Sequence, residues 1–401
     1  MVPHWGRFVD LLSMEDGYSL SNFSLVVQIT CTAMVLAILF WSIFAINNWS
    51  KVDKSRPVKK KEIDLPHMTV VLPTWNESIV IQGKLEDIRS QEYPDELLEV
   101  IVIDSASDDS TVELVREWFS SRGENDERHY LLIEEEARTG KSTSINRAFE
   151  EAREESSILM MTDVDCRLSE GALMAVAERF HDADIGAITA KQILLNSNQS
   201  QKTQQEGSYR DFFTRIRIAE SNAHSTPIFH GECSAYRRDA ISGHKLVENS
   251  NADDSQMAVS VVRSGFRAIY DPSIEFYEMA PPTSRSSRIQ KVRRAQGLVR
   301  HFWRNRDLAY SAQSPVRGIM ALELSLHVFL PFFVTLGFMA GILHLVTVAN
   351  LTGLDSQEIG HLPLTHQIMI IADTIVILLV SSGRLGLPIP ASRLTYTFFV
   401  Y

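Results

Sequence analysis

The sequence predicts an α/β domain with a Rossmann-like, mostly parallel sheet, combined with transmembrane α-helices and an interfacial amphipathic helix. Short apolar runs alternate with longer stretches of helical periodicity between residues 63 and 277. Strands that lack polar alternation and are joined by helices are typical of a parallel sheet covered on both faces. Long apolar segments lie on either side of this region, and basic residues cluster beside them. Together these patterns indicate a membrane protein with one α/β domain.

The first apolar segment, residues 24–46, contains no Asp, Glu, Lys or Arg. A helix of this length reaches about 34 Å, which is enough to cross a bilayer. The basic residues of 51–61 follow it, and positive charge beside a span marks the cytoplasmic side. The pattern therefore predicts an extracytoplasmic N-terminus over 1–23, a transmembrane helix over 24–47 and a basic cytoplasmic linker over 48–62.

Two further apolar segments follow the α/β region. They predict transmembrane helices over 320–350 and 362–383, joined by an external loop over 351–361 and followed by a cytoplasmic C-terminal segment over 384–401. Asp373 interrupts the last segment, and we expect its carboxylate to face the helical bundle or a wet cavity. A buried core hairpin is the alternative for these two segments. The expected localisation is the cell membrane, as a multi-pass protein with the α/β domain in the cytoplasm.

Four strands and three helices alternate in the first part of the α/β region. We predict strands over 67–73, 97–105, 129–135 and 157–163, with helices over 78–91, 110–122 and 141–155. Ligands of such sheets bind beyond the carboxyl ends of the strands. Residues with polar or acidic side chains fall at these ends, together with one proline and one tryptophan: Pro73, Thr74, Trp75, Asn76, Glu77, Asp104, Asp163 and Asp165.

Asp163 and Asp165 follow the apolar run of the fourth strand. Side chains two residues apart in an extended chain point the same way, so the two carboxylates share a side. Carboxylates at the end of a buried strand need a cationic partner. A divalent metal such as Mn²⁺ or Mg²⁺ takes oxygen ligands and suits this pair. A solvated strand end or a helix N-cap is the alternative for an isolated D-x-D.

The formal net charge of −11 argues against a nucleic-acid partner, because nucleic-acid phosphates need a basic surface. The basic residues concentrate beside the apolar segments, which leaves the α/β region acidic. The three cysteines show neither metal-ligand spacing nor a disulfide pattern.

Gly140 to Thr143 look like the end of a phosphate-binding P-loop. That loop needs a glycine five residues before its Gly-Lys pair, and the chain has Glu135 there. We therefore do not expect an ATPase, although Lys141 remains placed to contact a phosphate from the rim of the crevice. A solvated helix N-terminus is the alternative for Lys141.

Seven segments resemble the membrane-embedded family-2 glycosyltransferases of GT-A fold that are related to cellulose and hyaluronan synthases. They occur in that family's order: VVLPTWNES, VIVIDSASDDST, RTGKSTSINRA, MTDVDCRL, GECSAYRRDAI, NADDSQMAVSVVRSGFRAIYDP and RIQKVRRAQG. The resemblance implies a GT-A glycosyltransferase domain over 63–284 and a basic interfacial helix region over 285–317.

The resemblance also implies roles for single residues. Asp165 and Asp163 would bind the metal, and Asp254 would act as the catalytic base. Seven residues would bind the nucleotide sugar: Pro73, Thr74, Asn76, Glu77, Asp104, Lys141 and Asp163. Six would lie on the acceptor and diphosphate side: Glu232, Cys233, Asp253, Gln290, Arg293 and Arg294.

Two of these assignments have structural alternatives. Asp253 and Asp254 start a predicted helix, where acidic residues are favoured electrostatically. Arg293 and Arg294 fit a basic amphipathic helix on a membrane surface, since Ile289, Val292 and Val299 share one face. Arg294 also stands where the family has tryptophan, so an acceptor sugar cannot stack on an indole there.

The function implied is that of an inverting, metal-dependent glycosyltransferase. The donor is a nucleotide sugar, either GDP-mannose or a UDP-sugar, with GDP-mannose favoured by the resemblance. The acceptor is a polyprenyl- or dolichyl-linked glycan or lipid at the cytoplasmic membrane face, as in N-glycan or glycolipid biosynthesis. One alternative is a processive polysaccharide synthase that uses a UDP-sugar. A non-catalytic nucleotide-sugar-binding scaffold is the other.

Overall fold

The computed structural model describes residues 14–52, 64–122, 126–196, 201–247, 252–279, 284–353 and 355–384. The chain divides into two compact units. An α/β unit spans Ile43–Glu323, and a helical unit combines Met1–Ser42 with Leu324–Tyr401.

The described part of the α/β unit contains eight strands: β1 Met68–Thr74, β2 Leu98–Asp104, β3 His129–Glu134, β4 Ile158–Met161, β5 Arg167–Leu168, β6 Ile185–Leu194, β7 Ser234–Arg237 and β8 Arg267–Glu278. They form one sheet in the order β3-β2-β1-β4-β7-β6-β8-β5. The first four confirm the predicted strands. Continuous apolar runs produced that prediction, because β1, β2 and β4 are buried on both faces, whereas the edge strand β3 is mostly half-buried.

The sheet is parallel in its first half and mixed in its second. β1 lies parallel to both β2 and β4, and β2 lies parallel to β3. β7 runs antiparallel between β4 and β6, whereas β6 and β8 are parallel and β5 is antiparallel to β8. The carboxyl ends of β1, β2 and β4 therefore meet at one edge, where the sequence predicts the ligand site.

Helices pack around this sheet. Their bounds are α2 Ile81–Arg89, α3 Thr111–Ser120, α4 Lys141–Glu151, α5 Ala172–Arg179, α6 Gln201–Ala223, α7 Arg238–Ile241, α8 Asp253–Arg263, α9 Ser284–Arg304, α10 Asp307–Tyr310 and α11 Arg317–Leu324. The largest core cluster joins β1, β2 and β4 to α2 and α5, and Val70, Val100 and Met160 within it are fully buried. Burying each such side chain contributes about 1.5–3 kcal/mol.

The helical unit contains the long apolar helices. They begin with α1 Met14–Trp49, and after a π-helical turn at Ser325–Phe329 come α12 Leu330–Thr352, α13 Ser356–His361 and α14 Leu364–Arg384. Two segments of the described chain, Ser19–Trp49 and Arg317–Thr352, are long and apolar enough to cross a membrane. The described apolar part of α14, Leu364–Leu378, is shorter than these two segments. The third predicted span, over 362–383, therefore stays a prediction.

Asp373 faces the neighbouring helices, as predicted. Its Oδ1 accepts a hydrogen bond from Gln28 Nε2, and its Oδ2 lies 3.9 Å from Nδ1 of the fully buried His344. A Cβ atom at Gly341 would lie 3.0 Å from Asp373 Oδ1, so the glycine leaves room for the carboxylate. These polar contacts join α1, α12 and α14.

Candidate active site

Asp104 closes β2 beside Thr74, the last residue of β1 and its partner in the sheet register. The Asp104 carboxylate is 1% exposed. Its Oδ2 accepts from Thr74 Oγ1 at 3.0 Å and from Ser107 Oγ at 2.6 Å, and its Oδ1 accepts from Ser107 N at 2.8 Å. A carboxylate has about four acceptor positions. Asp104 therefore joins the two strand ends, and its Oδ1 accepts one hydrogen bond from within the described chain.

Asn76 joins the loop after β1 to the loop after β2. Its backbone is left-handed, with φ 57°, a conformation that asparagine adopts more readily than most residues. Asn76 Nδ2 donates to Asp108 Oδ1 at 2.6 Å, and the Asp108 N–H donates to Asn76 Oδ1 at 3.0 Å. The side-chain amide of Asn76 thus holds the two loops together. Pro73 lies within β1, three residues before Asn76.

Trp75 and Arg138 form a flat surface beside these loops. The guanidinium carbon of Arg138 lies 3.4 Å from the centroid of the Trp75 ring, and the tryptophan is 39% exposed. A planar guanidinium over an indole is a surface on which a planar base can stack. Sequence reasoning placed Trp75 at the end of the first strand but missed Arg138 and its contact with the indole.

Four carboxylates gather beyond β1 and β4. Burial, followed by the charges of Asp163 and Glu232, raises the pKa of Asp165. Burial, followed by the charges of Asp165 and Asp163, raises the pKa of Glu77. Burial is the larger cause of each shift, and repulsion between the neighbouring acids adds to it; a cation placed among them would relieve that repulsion.

The acids fit a divalent metal that also binds a phosphorylated ligand. No group of three or more His, Cys, Asp or Glu among the described residues is arranged to hold a metal by itself. Mg²⁺ is commonly held by one or two carboxylates together with substrate phosphates, and Mn²⁺ favours the same oxygen donors. Asp163 and Asp165 supply two carboxylates of that kind.

Lys141 and Asp254 meet around Gly231. Lys141 Nζ lies 2.6 Å from Asp163 Oδ1. A Cβ atom at Gly231 would lie 3.2 Å from Lys141 Nζ and 3.8 Å from Asp254 Oδ2. Asp254 Oδ1 accepts from the Ser255 N–H at 2.7 Å in the first turn of α8, so the residue also serves the helix start. The structure thus brings Asp163, Lys141 and Asp254 to one place.

Glu232 is the centre of the predicted acceptor side. Its Oε1 lies 3.8 Å from Arg294 Nη2, and its Oε2 lies 4.0 Å from His230 Nδ1. Arg217 Nη1 donates to His230 Nε2 at 2.7 Å. Burial, followed by the charge of Arg217, holds the pKa of His230 well below its usual value. His230 is therefore a neutral imidazole whose proton on Nδ1 points towards Glu232.

Glu278 is a further acid near Glu232. Burial, followed by the charge of Glu232, raises the pKa of Glu278 to about 7. Arg210 Nη1 pairs with Glu278 Oε1 at 2.6 Å. Sequence reasoning missed Glu278, Arg210, Arg217 and His230, because no short motif marks residues that meet only through the fold.

Cys233 corrects one prediction. Its thiol is 2% exposed and belongs to the hydrophobic core cluster, because β7 begins at the next residue and turns this side chain inward. Its backbone carbonyl accepts from Thr189 Oγ1 at 3.1 Å. Arg293 is exposed on α9, and the side chains of Asp253 and Gln290 lie outside the described residues.

Comparison with known proteins gives two family matches. The profile described as Glycosyl transferase family 2 matches residues 69–244, and the profile described as Glycosyl transferase family group 2 matches residues 158–357. The matched region includes β1 to β8, the acid cluster and Asp254.

Two kinds of relative are similar to the chain. The solved structure of the mannosyltransferase PcManGT from Pyrobaculum calidifontis, in complex with GDP-Man and Mn²⁺, superposes with a TM-score of 0.71 at 28% identity, over 94% of this chain and 95% of that one. The poly-beta-1,6-N-acetyl-D-glucosamine synthase of Staphylococcus aureus strain COL is 24% identical over 254 residues, and that of Staphylococcus epidermidis is 23% identical over 252. Each synthase match covers 61% of this chain and 59% of the relative.

The two profiles together span most of the chain, and both name the same class of enzyme. The mannosyltransferase structure agrees with them over nearly the full length of both chains. The chain is therefore a glycosyltransferase and belongs to glycosyl transferase family 2.

Proposed function

We propose that the protein is an inverting, metal-dependent glycosyltransferase that moves mannose from GDP-mannose to a lipid-linked acceptor. The observation that carries the proposal is the meeting of Asp163, Lys141 and Asp254 around Gly231, with Asp165 beside them. Asp163 and Asp165 could bind a metal, Lys141 could bind a phosphate, and Asp254 could accept a proton from a hydroxyl group.

Asp165 and Asp163 would hold Mn²⁺ or Mg²⁺, which would supply positive charge for the diphosphate of the donor and its leaving group. The closeness of Asp165, Asp163 and Glu77 supports this, because a divalent cation among the three carboxylates would relieve their mutual repulsion. Lys141, which pairs with Asp163, can turn to a phosphate oxygen when the donor binds.

Asp254 is the base in this mechanism. Its Oδ2 faces the space at Gly231, where it can accept the proton of an acceptor hydroxyl. The hydroxyl oxygen then forms a bond to the anomeric carbon as the bond from that carbon to the phosphate oxygen breaks. Because attack and departure take opposite faces of the sugar, a single displacement inverts the anomeric configuration.

The donor assignment has two supports. The similar mannosyltransferase was solved with GDP-Man. In this chain, Asp104 Oδ1 would accept the N–H of a base, and the Trp75–Arg138 surface suits stacking. Both guanine and uracil offer a ring N–H, so the preference for GDP-mannose rests on the relative.

The acceptor and membrane assignments rest on the apolar segments and on α9. Ser19–Trp49 and Arg317–Thr352 are candidate spans, and most of the residues in each apolar window are not buried. Ile289, Val292 and Val299 are exposed along α9, and Arg293 and Arg300 flank them. An apolar stripe edged by arginines fits the surface of an anionic membrane. We propose a protein of the cell membrane with a cytoplasmic catalytic domain and a polyprenyl- or dolichyl-linked acceptor.

A processive polysaccharide synthase that uses UDP-N-acetylglucosamine is the second candidate. It is favoured by the staphylococcal relatives, of whose length the chain covers 59%. That candidate predicts products of distributed length, whereas the mannosyltransferase predicts addition of a single sugar. The non-catalytic scaffold is not retained, because the family is one of transferases.

A donor screen with the full chain in detergent tests the proposal. GDP-mannose, UDP-glucose and UDP-N-acetylglucosamine are each incubated with a polyprenyl phosphate and Mn²⁺ or Mg²⁺, and the released nucleoside diphosphate is measured. We expect GDP release that needs both metal and acceptor, and that EDTA abolishes. Asp165→Asn should abolish GDP release. Asp239→Asn, at an exposed position of α7, should leave GDP release unchanged. Release of UDP with chain-length heterogeneity would favour the synthase, and full activity in EDTA would refute the metal site.

A further inference from the structure

Lys84 is a charged residue in the core of the α/β unit. It lies on α2 and is 0% exposed. Its Nζ donates to the backbone oxygen of Cys166 at 3.1 Å and pairs with Asp87 Oδ2 at 3.0 Å. A buried ammonium costs several kcal/mol unless it is paired and hydrogen-bonded, so an apolar side chain of similar size would be the ordinary choice here.

Both contacts of Lys84 lead to the turn that carries the acids, residues 163–168. Cys166 directly follows Asp165. Asp87 Oδ2 also accepts from the Leu168 N–H at 3.1 Å. The Lys84–Asp87 pair therefore holds the turn at two points from its buried side.

Other contacts make this turn well defined. The Cys166 Sγ lies 3.2 Å from the Asp163 carbonyl oxygen and 3.2 Å from the Glu232 carbonyl oxygen, either of which can accept its single S–H. Arg167 Nη1 donates to the Cys166 carbonyl at 2.9 Å, and a Cβ atom at Gly83 would lie 2.7 Å from Arg167 Nη2. The absence of a side chain at Gly83 thus leaves room on α2 for the Arg167 side chain. Lys84 supplies the charged contact between α2 and the turn.

We propose that Lys84 is the positioning residue of the metal-binding turn. By fixing the Cys166 carbonyl, it fixes the Asp165 carboxylate one residue earlier, and so pre-organises the pair of acids for a divalent cation. This inference rests on the proposed function for its metal, and it names a residue that touches neither the metal nor the substrate.

The test compares Lys84→Met and Lys84→Arg with the unaltered chain. Methionine fills a similar space without the charge, and arginine restores a buried cation. Lys191→Met is the matched control, because Lys191 pairs with Glu275 at 3.0 Å in the same unit and does not contact the turn. Asp87→Asn is a second variant, which keeps an acceptor for Leu168 and removes the partner charge.

Two measurements are made on each purified chain. Mn²⁺ affinity in the presence of GDP is measured by electron paramagnetic resonance of the free ion, and GDP affinity is measured in EDTA. We expect Lys84→Met to weaken Mn²⁺ binding about 10–100-fold, the range typical of a lost outer contact. GDP affinity in EDTA should be unchanged, Lys84→Arg should recover part of the loss, and Lys191→Met should match the unaltered chain.

Hydrogen exchange of the peptide covering 163–168, without metal, gives a readout independent of the proposed function. Exchange should rise in Lys84→Met and in Asp87→Asn but not in Lys191→Met. Unchanged exchange together with Mn²⁺ affinity within twofold of the unaltered chain would overturn the inference. If exchange rises in Lys84→Met but the unaltered chain itself binds no Mn²⁺, the positioning contact stands and the proposed metal is refuted.

Discussion

Lys141 Nζ lies 2.6 Å from Asp163 Oδ1, so the first residue of α4 neutralises one of the acids that follow β4. Both side chains are partly exposed, at 39% and 28%. A pair of this kind can separate without a large penalty, since exposed ion pairs are worth little. The contact is therefore one that an incoming diphosphate can replace.

Lys141→Met should weaken GDP binding in the presence of Mn²⁺ by about tenfold, the size of one lost charge-assisted hydrogen bond. Titration calorimetry measures the affinity. Lys245→Met is the control, because Lys245 also pairs with a carboxylate, Glu150, on an exposed surface. Equal affinities for the two variants would show that Lys141 does not reach the phosphates.

Asp254→Asn should retain donor binding and lose transfer. The amide keeps the size of the side chain and an acceptor for the Ser255 N–H, but it cannot take a proton from an acceptor hydroxyl. A general base commonly contributes about 10²–10⁴-fold in rate, so the turnover number should fall within that range. The measurements are GDP affinity and the rate of sugar transfer. Turnover at the unaltered rate would remove Asp254 from the mechanism.

Gly231→Ala should reduce activity while leaving the fold intact. The new methyl group would lie 3.2 Å from Lys141 Nζ, which is the flexible end of a side chain and can move aside. It would also occupy the space that Asp254 Oδ2 faces. We expect a loss of about tenfold in kcat/KM, equivalent to one polar contact, with little change in the melting temperature.

Gly360→Ala is the control for that substitution, since a Cβ atom there meets nothing within 4 Å. Gly360→Ala should change neither kcat/KM nor the melting temperature. A melting temperature that falls with activity in Gly231→Ala would indicate misfolding instead of an obstructed site.

Glu220→Gln should make stability less dependent on pH. Burial, followed by the charge of Glu323, raises the pKa of Glu220 well above its ordinary 4.5. Between the unfolded and the folded pKa the folded chain holds a proton that the unfolded chain releases, so stability falls as pH rises above about 4.5. The amide of glutamine is neutral throughout and removes that dependence.

Melting temperatures between pH 5 and pH 8 test the point. The difference between Glu220→Gln and the unaltered chain should grow in favour of the variant as pH rises. Glu275→Gln, which removes a half-exposed partner of Lys191, should show no such trend. A difference that stays constant over this range would contradict the assignment.

Much of the sheet could be predicted from the sequence, because β1, β2 and β4 are buried on both faces and their apolar runs are continuous. β7 could not be predicted in the same way. It has four residues, Ser234–Arg237, and its antiparallel pairing depends on strands that are distant in sequence. A short polar strand carries no period that separates it from a loop.

The sequence groups the acids of the candidate site for a similar reason. Parallel strands bring their carboxyl ends together, which predicts that Asp104, Asp163 and Asp165 share one edge of the sheet. Lys84 could not be grouped with them, because it reads as one more lysine on a helix and meets Cys166 from 82 positions away. Buried residues that hold the backbone of a site, as Lys84 does, are not marked by a short sequence motif.

The three buried cysteines have a practical consequence. Burial raises the pKa of Cys166 to about 11, and that of Cys233 lies above its ordinary value for the same reason. A thiol that is neither ionised nor reachable reacts slowly with maleimides. A cysteine introduced at an exposed position such as Ser120 would then be the fast-reacting one, and a single dye could be attached there without removing any native sulfur.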